Sequence, residues 1–294
     1  MDEFCSGQVR ANGLRFATLE AGDGPLVLCL HGFPDHARSF RHQLPALAAA
    51  GFRAVAPFLR GYAPTDAAPD GNYQSAVLAQ DAVALIEALG YQCAAIFGHD
   101  WGAVAAYGAA VLAPERVPRL VTAAVPYGVA LPTALMTNYE QQRRSWYMFF
   151  FQTPFADIAV PHGDFRFLER LWQDWSPGWA YPGEEMEALK ATFRQPGVLS
   201  AALDYYRCTL NPANQDPGLA EIQDRISASP VLAPTLFFHG ARDGCIGTEL
   251  LDGMEQLFPN GLEKLVVPDA GHFVHQERPE VVNPKLLEFL APLR

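Results

Sequence analysis

The strongest candidate for a reactive residue is Asp100. It lies in the pentapeptide Gly98-His99-Asp100-Trp101-Gly102, with a glycine two residues away on each side. This pattern is typical of the sharp turn between a strand and a helix that presents a nucleophile, and its glycines are needed because the turn leaves no room for Cβ atoms. A carboxylate at this position can attack carbon and form an ester with the protein. The alternative is a structural role, since aspartate is also preferred at a helix N-cap.

A catalytic carboxylate needs an acid and a histidine as partners, and both follow later in the chain. Asp243 and His272 each come after a strand-like apolar run, so both fall in loops beyond the carboxyl ends of strands, where ligands meet open α/β sheets. Their order after Asp100 is nucleophile, acid, histidine. Asp269 is a rival acid, but it leaves the same strand as the histidine and is interpreted as a turn residue. We therefore predict a triad of Asp100, Asp243 and His272.

The elements that must position these residues are strands that alternate with helices. An amino-terminal hairpin is predicted over residues 8–19, a buried strand at residues 25–30, and further strands at residues 53–56, 93–97, 235–239 and 262–267. Helices are predicted at residues 73–89, 103–112 and 279–290. This alternation favours an α/β fold with a mostly parallel sheet flanked by helices.

The alternation stops in the middle of the chain. From about residue 131 to residue 228 the sequence is rich in aromatic residues, Gln, Arg and Pro, without strand-like runs. We interpret this segment as a helical cap, or lid, inserted into the sheet domain. The predicted organisation is a first part of the core at residues 1–130, the cap at 131–228 and a second part of the core at 229–294.

Charge and composition narrow the classes of partner. The 294 residues include 21 Lys and Arg against 32 Asp and Glu, a formal net charge of −11. This excess of negative charge repels phosphate backbones and anionic lipid headgroups, so neither nucleic acid nor a membrane surface is expected as a partner. Hydrophobic residues make up 50% of the chain, which excludes an intrinsically disordered protein.

The cysteines and the amino terminus predict the compartment. Five cysteines are scattered along the chain without the spacing of a zinc site, which favours a reducing environment and predicts that no metal is bound. The first residues are acidic and lack the apolar region of a secretory signal, and no apolar stretch approaches the roughly 18 residues of a membrane span. We expect a cytoplasmic protein.

Taken together, these motifs resemble the α/β-hydrolase fold, and within it the epoxide hydrolases that carry a cap domain. The resemblance covers nearly the whole chain and rests on the following segments: His31-Gly32-Phe33-Pro34, Arg60-Gly61-Tyr62, Gly98-His99-Asp100-Trp101-Gly102, Asp243 and Gly271-His272-Phe273. The chain departs from the family around Arg60, where Phe58 and Ala63 replace its usual acidic residue and glycine. The resemblance implies a hydrolase without a cofactor.

The resemblance also implies two ring-opening tyrosines in the cap. The stretches around Tyr147 and Tyr206 are similar to the places where the family carries them. Two alternatives stay open: neighbouring Tyr205 can take the second role, and aromatic cap residues are more often core than catalytic.

A carboxylate nucleophile limits the classes of substrate that the protein can hydrolyse. Attack on an acyl group would give a mixed anhydride, whereas attack on an sp³ carbon that bears a leaving group gives an alkyl ester that water can hydrolyse at Asp100. Epoxides and alkyl halides both fit this chemistry. An epoxide oxygen leaves as an alkoxide that needs a proton or strong hydrogen bonds, and tyrosine, with a reference pKa of about 10, is a donor at neutral pH. Two cap tyrosines therefore favour an epoxide.

A haloalkane or haloacid dehalogenase is the alternative enzyme. A departing halide needs only N–H donors, and Trp101 is one candidate, but Phe33 has no side-chain donor. Four tryptophans of the cap segment keep this alternative open: Trp146, Trp172, Trp175 and Trp179. A non-catalytic ligand-binding protein on the same fold is a third option. The complete triad argues against it, because a receptor needs no residues that activate water.

The remaining predictions concern the second step and the pocket. His272, held by Asp243, would deprotonate a water, and the backbone N–H groups of Phe33 and Trp101 would form the oxyanion hole. Six apolar residues are predicted to line the substrate pocket: Phe33, Trp101, Met136, Phe149, Phe150 and Phe273. The expected partners are a small apolar epoxide and water, with a homodimer as one option for assembly.

Overall fold

A mostly parallel sheet organises the computed structural model, which describes residues 4–293. Its strands are β1 (Cys5–Ala11), β2 (Leu14–Ala21), β3 (Leu26–Leu30), β4 (Arg53–Pro57), β5 (Ala95–His99), β6 (Leu120–Ala123), β7 (Thr235–Gly240) and β8 (Leu262–Val267). They lie in the order β1-β2-β4-β3-β5-β6-β7-β8. The β1–β2 and β2–β4 pairs are antiparallel, and the pairs from β4 to β8 are parallel. The predicted α/β class and mostly parallel sheet are confirmed.

The strands that lead to Phe33 and Asp100 are buried along their whole length. β3 and β5 are continuous runs of buried residues, as expected for parallel strands covered on both faces. The predicted hairpin turns at Asn12 and Gly13, both with positive φ. The sequence analysis missed β6, because a strand of four residues is too short to show a clear pattern.

Helices cover both faces of the sheet and fill the segment between β6 and β7. They are α1 (Gln43–Ala49), α2 (Ser75–Ala88), α3 (Trp101–Leu112), α4 (Ala130–Thr137), α5 (Tyr139–Arg144), α6 (Trp146–Phe150), α7 (Ala156–Ala159), α8 (His162–Trp175), α9 (Gly183–Phe193), α10 (Val198–Leu210), α11 (Ala220–Ala228), α12 (Val274–Glu277) and α13 (Pro279–Leu290). α1 and α13 pack on one face of the sheet, and α2 and α3 pack on the other.

The segment predicted to be the cap contains α4 to α11. Between β6 and β7, the described chain has helices and turns without any strand. Within α8, residues 163–165 have positive φ, so the regular helix begins after them. The exact division into core and cap at residues 131 and 228 stays a prediction. None of the helices within residues 4–293 has both the length and the apolarity that crossing a membrane requires.

Candidate active site

Asp100 lies at a sharp turn between β5 and α3. Its φ and ψ are 53° and −119°, a conformation that an L-residue adopts only when its surroundings force it. A Cβ on Gly98 would lie 2.2 Å from the carbonyl oxygen of Gly102, and a Cβ on Gly102 would lie 1.9 Å from that of Leu30. The two glycines are therefore required by packing, and together they turn Asp100 out of the sheet at its carboxyl edge.

The carboxylate of Asp100 does not cap α3. The structure shows no capping hydrogen bond from this side chain to the helix among the described residues, and Oδ1 instead accepts the backbone N–H of Phe33 at 2.7 Å. Trp101 is the first residue of α3, where N–H groups have no acceptor within the helix. The two N–H groups predicted for the oxyanion hole thus belong to residues that bond or adjoin Asp100.

His272 lies between the carboxylates of Asp100 and Asp243. Its Nδ1 is 2.9 Å from Oδ2 of Asp243, and its Nε2 is 3.5 Å from Oδ2 of Asp100. All three side chains are buried. The rival acid, Asp269, lies at the surface, where it pairs with Arg242 at 2.7 Å. The structure thus brings the three predicted residues together, with Asp243 as the partner of the histidine, and their catalytic roles stay a prediction.

The loop that carries Asp243 holds its carboxylate in one orientation. Oδ1 accepts the backbone N–H groups of Cys245, at 2.7 Å, and of Ile246, at 2.9 Å, which leaves Oδ2 for His272. Burial raises the pKa of Asp243, but the charge and hydrogen bond of His272 outweigh it and lower that pKa. Asp243 is therefore an anion at neutral pH.

The same two carboxylates set the charge of the histidine. Burial lowers the pKa of His272, but the charge of Asp243, with the hydrogen bonds and charge that the two carboxylates supply, raises it to about 10. His272 is thus protonated in the free protein at neutral pH. Removal of one of the neighbouring negative charges would lower this pKa and let the ring act as a base.

Two tyrosines of the cap segment face Asp100. Tyr147 of α6 and Tyr206 of α10 lie with Asp100 in the wall of one cavity. The hydroxyl of Tyr147 is 3.3 Å from Sγ of Cys245. The hydroxyl of Tyr206 is buried without a hydrogen-bond partner among the described residues. Burial, and then the charge of Asp100 among other causes, raises the pKa of Tyr206, so this phenol stays protonated.

Tyr205 points elsewhere. Its hydroxyl donates to the backbone carbonyl of Arg60 at 2.9 Å, and its ring stacks on Tyr73 with centroids 5.4 Å apart. Adjacent residues of a helix point about 100° apart, so only one of Tyr205 and Tyr206 can face the nucleophile. The geometry favours Tyr206.

Known proteins share this combination of fold and site. Residues 25–279 match the family described as alpha/beta hydrolase fold. Human epoxide hydrolase 4 is 31% identical over 295 residues, a match that covers 97% of this chain and 78% of the human protein. The chain belongs to the epoxide hydrolases of this fold.

Solved structures of epoxide hydrolases agree with that assignment. The Bacillus megaterium epoxide hydrolase, crystallised with an inhibitor, matches with a TM-score of 0.84 and 29% identity, covering 97% of this chain and all of the bacterial one. A putative epoxide hydrolase from Klebsiella pneumoniae matches with a TM-score of 0.87 and 27% identity, covering 98% and 96% of the two chains. The expected family and fold are confirmed.

The cavity beside Asp100 suits a substrate of this family in size and polarity. Its volume is about 590 Å³, and most of its lining is apolar. Trp101, Met136 and Phe149 line it, as the sequence predicts. A pocket of this size and composition is typical of sites for small apolar ligands.

Three other residues predicted to line the pocket pack elsewhere. The ring of Phe33 meets that of Phe151 edge to face, and Phe150 stacks on Phe167, with centroids 5.4 Å and 5.9 Å apart. Phe273 packs against tryptophan rings of the cap. For these three, the prediction is corrected: they support the walls of the site as aromatic packing, because the direction of each ring follows from how the cap sits on the sheet. Phe33 and Phe273 are buried and Phe150 is half-buried.

The sequence analysis missed Cys245, and it named Trp175 only as one of the cap tryptophans that keep the dehalogenase alternative open. Cys245 contacts Tyr147, and burial raises the pKa of its thiol, so it is an uncharged neighbour of the phenol. The position of Cys245 in the sequence, two residues after Asp243, could have indicated that it lies at the site. Trp175 packs between His272 and Tyr147, with ring centroids 5.1 Å and 4.7 Å away. No local pattern marks Trp175, because its role depends on the contact between cap and core.

Among residues 4–293, buried donors of metal-ligating type occur in two groups. Within each, the ligand atoms lie within 4.8 Å of one another: Asp243, Cys245 and His272 in the first, Asp35, His99 and His275 in the second. In the first group, Asp243 and His272 already bond each other. In the second, Asp35 accepts a hydrogen bond from Gln276 at 2.6 Å. These contacts account for the carboxylates without a metal, and the expectation that none is bound stays a prediction.

Proposed function

We propose that this protein hydrolyses a small apolar epoxide to a vicinal diol through a covalent ester on Asp100. The observation that carries the proposal is the position of Tyr147 and Tyr206, which share a cavity with the carboxylate of Asp100. A nucleophile below and two hydroxyl donors above an apolar cavity are what opening of a three-membered ether requires. Water is the second substrate, while a homodimer and a cytoplasmic location stay predictions from the sequence.

The first step is ring opening. An oxygen of Asp100 attacks an epoxide carbon, the C–O bond breaks, and the electron pair stays on the departing oxygen. Tyr147 and Tyr206 stabilise that oxygen by hydrogen bonds and supply its proton. Burial is the first cause that raises the pKa of both phenols, so both remain donors at neutral pH. General-acid assistance of this kind is typically worth about 10² to 10⁴ in rate.

The second step is hydrolysis of the ester. Once Asp100 is esterified, its negative charge near Nε2 of His272 is gone, so the pKa of the histidine falls and the ring releases its proton, which replaces the one that the phenols supplied in ring opening. The neutral ring then accepts a proton from water. Hydroxide attacks the ester carbonyl, and the N–H groups of Phe33 and Trp101 stabilise the oxyanion. On collapse, His272 returns its proton to the departing alkoxide and the diol is released. The Asp100 carboxylic acid that remains gives its proton to His272, which regenerates the carboxylate and the protonated histidine.

The dehalogenase alternative has less support. The indole N–H of Trp172, a candidate halide donor, is already bonded to the backbone carbonyl of Pro34 at 2.8 Å. Halide release would also leave the two tyrosine hydroxyls without a task. The relatives and structural neighbours described above are epoxide hydrolases by name.

Trapping the intermediate tests the proposal. His272→Gln keeps the nucleophile and the tyrosines, so a styrene-type epoxide should add one substrate mass to the peptide that contains Asp100, while Asp100→Ala should add none. Asp269→Asn, a surface carboxylate, is the matched control and should turn over normally. In the wild type, a single turnover in ¹⁸O water should place the label in Asp100. Label in the first diol, or halide release without diol formation, would overturn the proposal.

A further inference from the structure

One carbonyl of the cap segment holds both loops of the predicted triad. The backbone oxygen of Trp175, the last residue of α8, accepts the N–H of Gly244 at 3.0 Å and the N–H of His272 at 3.1 Å. Gly244 directly follows Asp243. The end of α8 is therefore bonded to the backbone beside the acid and to the backbone of the histidine itself.

Glycines allow the cap segment to approach these loops closely. A Cβ on Gly244 would lie 2.0 Å from the backbone oxygen of Asp174, and a Cβ on Gly271 would lie 2.5 Å from Cα of Ser176. Any side chain at either position would push α8 away from the loops. The contact is thus between backbones, which permits little adjustment.

A side-chain bridge reinforces the contact next to His272. The hydroxyl of Ser176 donates to Oε1 of Glu277 at 2.6 Å, and the backbone N–H of Gly271 donates to Oε2 of Glu277 at 2.9 Å. The N–H of Phe273 reaches Oγ of Ser176 at 3.3 Å. Ser176, just after α8, and Glu277, in α12, therefore hold the residues on either side of His272. We call them the Ser176–Glu277 bridge.

The other side of the histidine loop is held by the core. The backbone carbonyl of His272 lies 3.0 Å from Nε2 of His99. His99 of β5 thus fixes one side of the loop. The position of the imidazole then depends on the contacts at the opposite side, where the Ser176–Glu277 bridge lies. Effective catalysis requires such placement, since a displacement of about 1 Å can cost about 10²-fold in rate.

We propose that Ser176 and Glu277 are positioning residues for the base, and that their bridge fixes His272 for ester hydrolysis. The position of His272 therefore depends on the contact between the end of α8, in the cap, and the histidine loop. Neither residue acts on the substrate. The inference rests on the proposed function for its kinetic consequence. Loss of the bridge should slow water attack, which needs His272, and spare ring opening, which uses Asp100 and the tyrosines.

The test uses the full-length protein with Ser176→Ala and Glu277→Gln. Glutamine keeps the size of the side chain but can accept only through its single oxygen, so it cannot hold both Ser176 and Gly271. Glu280→Gln removes an exposed carboxylate three residues further on and is the matched control. Rapid-quench mass spectrometry with a styrene-type epoxide gives the rates at which the adduct forms and decays.

We expect the adduct to form within about twofold of the wild-type rate and to decay on the order of 10-fold more slowly in both bridge variants. Apparent kcat and KM should fall together, because the ester accumulates. The double variant should be no slower than the single ones, since both remove the same bridge. An unchanged decay rate, or equal slowing of both steps, would reduce the bridge to a packing contact and overturn the inference.

A second readout needs no substrate. The proton on Nδ1 of His272, bonded to Asp243, should give a far-downfield NMR signal that exchanges faster with water in Glu277→Gln and is unchanged in Glu280→Gln. If the wild type forms no adduct, the proposed function fails, and this signal still decides whether the bridge positions the imidazole. If Glu277→Gln and Glu280→Gln give the same signal and the same exchange rate, that result alone overturns the inference.

Discussion

The ring of Tyr147 meets the ring of Tyr206 edge to face, with centroids 5.6 Å apart, so α6 and α10 each bring one hydroxyl to the cavity of Asp100. The tyrosine next in sequence, Tyr205, bonds the core instead. A pair of donors built from two helices depends on how those helices pack, which makes ring opening sensitive to the cap.

Removing either phenol should slow formation of the ester. Tyr147→Phe and Tyr206→Phe each lose one donor to the departing oxygen. We expect adduct formation to fall by roughly 10- to 100-fold in each, because the two phenols share general-acid assistance of about 10² to 10⁴ in rate. Tyr205→Phe is the matched control: it loses a hydrogen bond to Arg60, costs about 0.5–1.5 kcal/mol of stability and leaves the rate unchanged. Single-turnover quench experiments measure these rates, and wild-type rates in both single variants would remove the tyrosines from the mechanism.

The charge state of His272 should follow the charge of Asp100. Since Asp100 contributes to raising the pKa of His272 to about 10, Asp100→Asn, a neutral mimic of the ester, should titrate at lower pH than the wild type. NMR titration of the imidazole measures the difference. Asp269→Asn removes an exposed carboxylate that pairs with Arg242 and that does not contribute to the shift of His272, so it should leave the titration unchanged. Equal midpoints in Asp100→Asn and the wild type would mean that esterification does not release the base.

The same shift predicts how stability depends on pH. The folded-state pKa of His272 lies above the value of about 6.5 expected in the unfolded chain. Its contribution to stability is therefore fully present below about pH 6.5 and is lost as the pH rises towards 10. Urea unfolding across this range should show the loss in the wild type and a smaller one in His272→Gln.

Glycines at the nucleophile turn should tolerate no substitution. Gly98→Ala and Gly102→Ala place a Cβ about 2 Å from backbone oxygen, so each should cost at least about 1–3 kcal/mol of stability and displace Asp100. Gly183→Ala, at the start of α9 with open space around its Cα, is the control and should not destabilise. Thermal unfolding provides the comparison, and stable, active Gly102→Ala protein would contradict this account of the turn.

A buried ion pair supports the loop beneath Tyr205. Arg60 bonds Asp81 through two nitrogens, at 2.5 and 2.7 Å, and both side chains are buried. Asp81→Ala should destabilise the fold by about 3–5 kcal/mol, because it leaves a buried guanidinium without its carboxylate. Asp66→Ala, which breaks an exposed pair with Arg15, should cost no more than about 1 kcal/mol. Similar losses of stability in the two variants would show that burial does not determine how much an ion pair contributes to the free energy of unfolding.

Much of the site follows from short-range pattern. The spacing of glycines around Asp100 identifies the strand-to-helix turn, because the steric limits that require them act within a few residues. The alternation of apolar runs predicts the parallel sheet, and parallel strands necessarily bring the loops of Asp243 and His272 to one edge. These features depend on local sequence and on chain order.

Other features were decided by tertiary structure alone. Whether Tyr205 or Tyr206 faces the nucleophile depends on how α10 sits against the core, and sequence spacing is the same for either orientation. Phe33, Phe150 and Phe273 are as apolar as residues that line the cavity, yet their rings pack on other aromatic rings and are not part of its wall. Rotation and docking of a helix arise from contacts between residues far apart in the chain, and hydrophobic attraction has no direction that a local pattern could record.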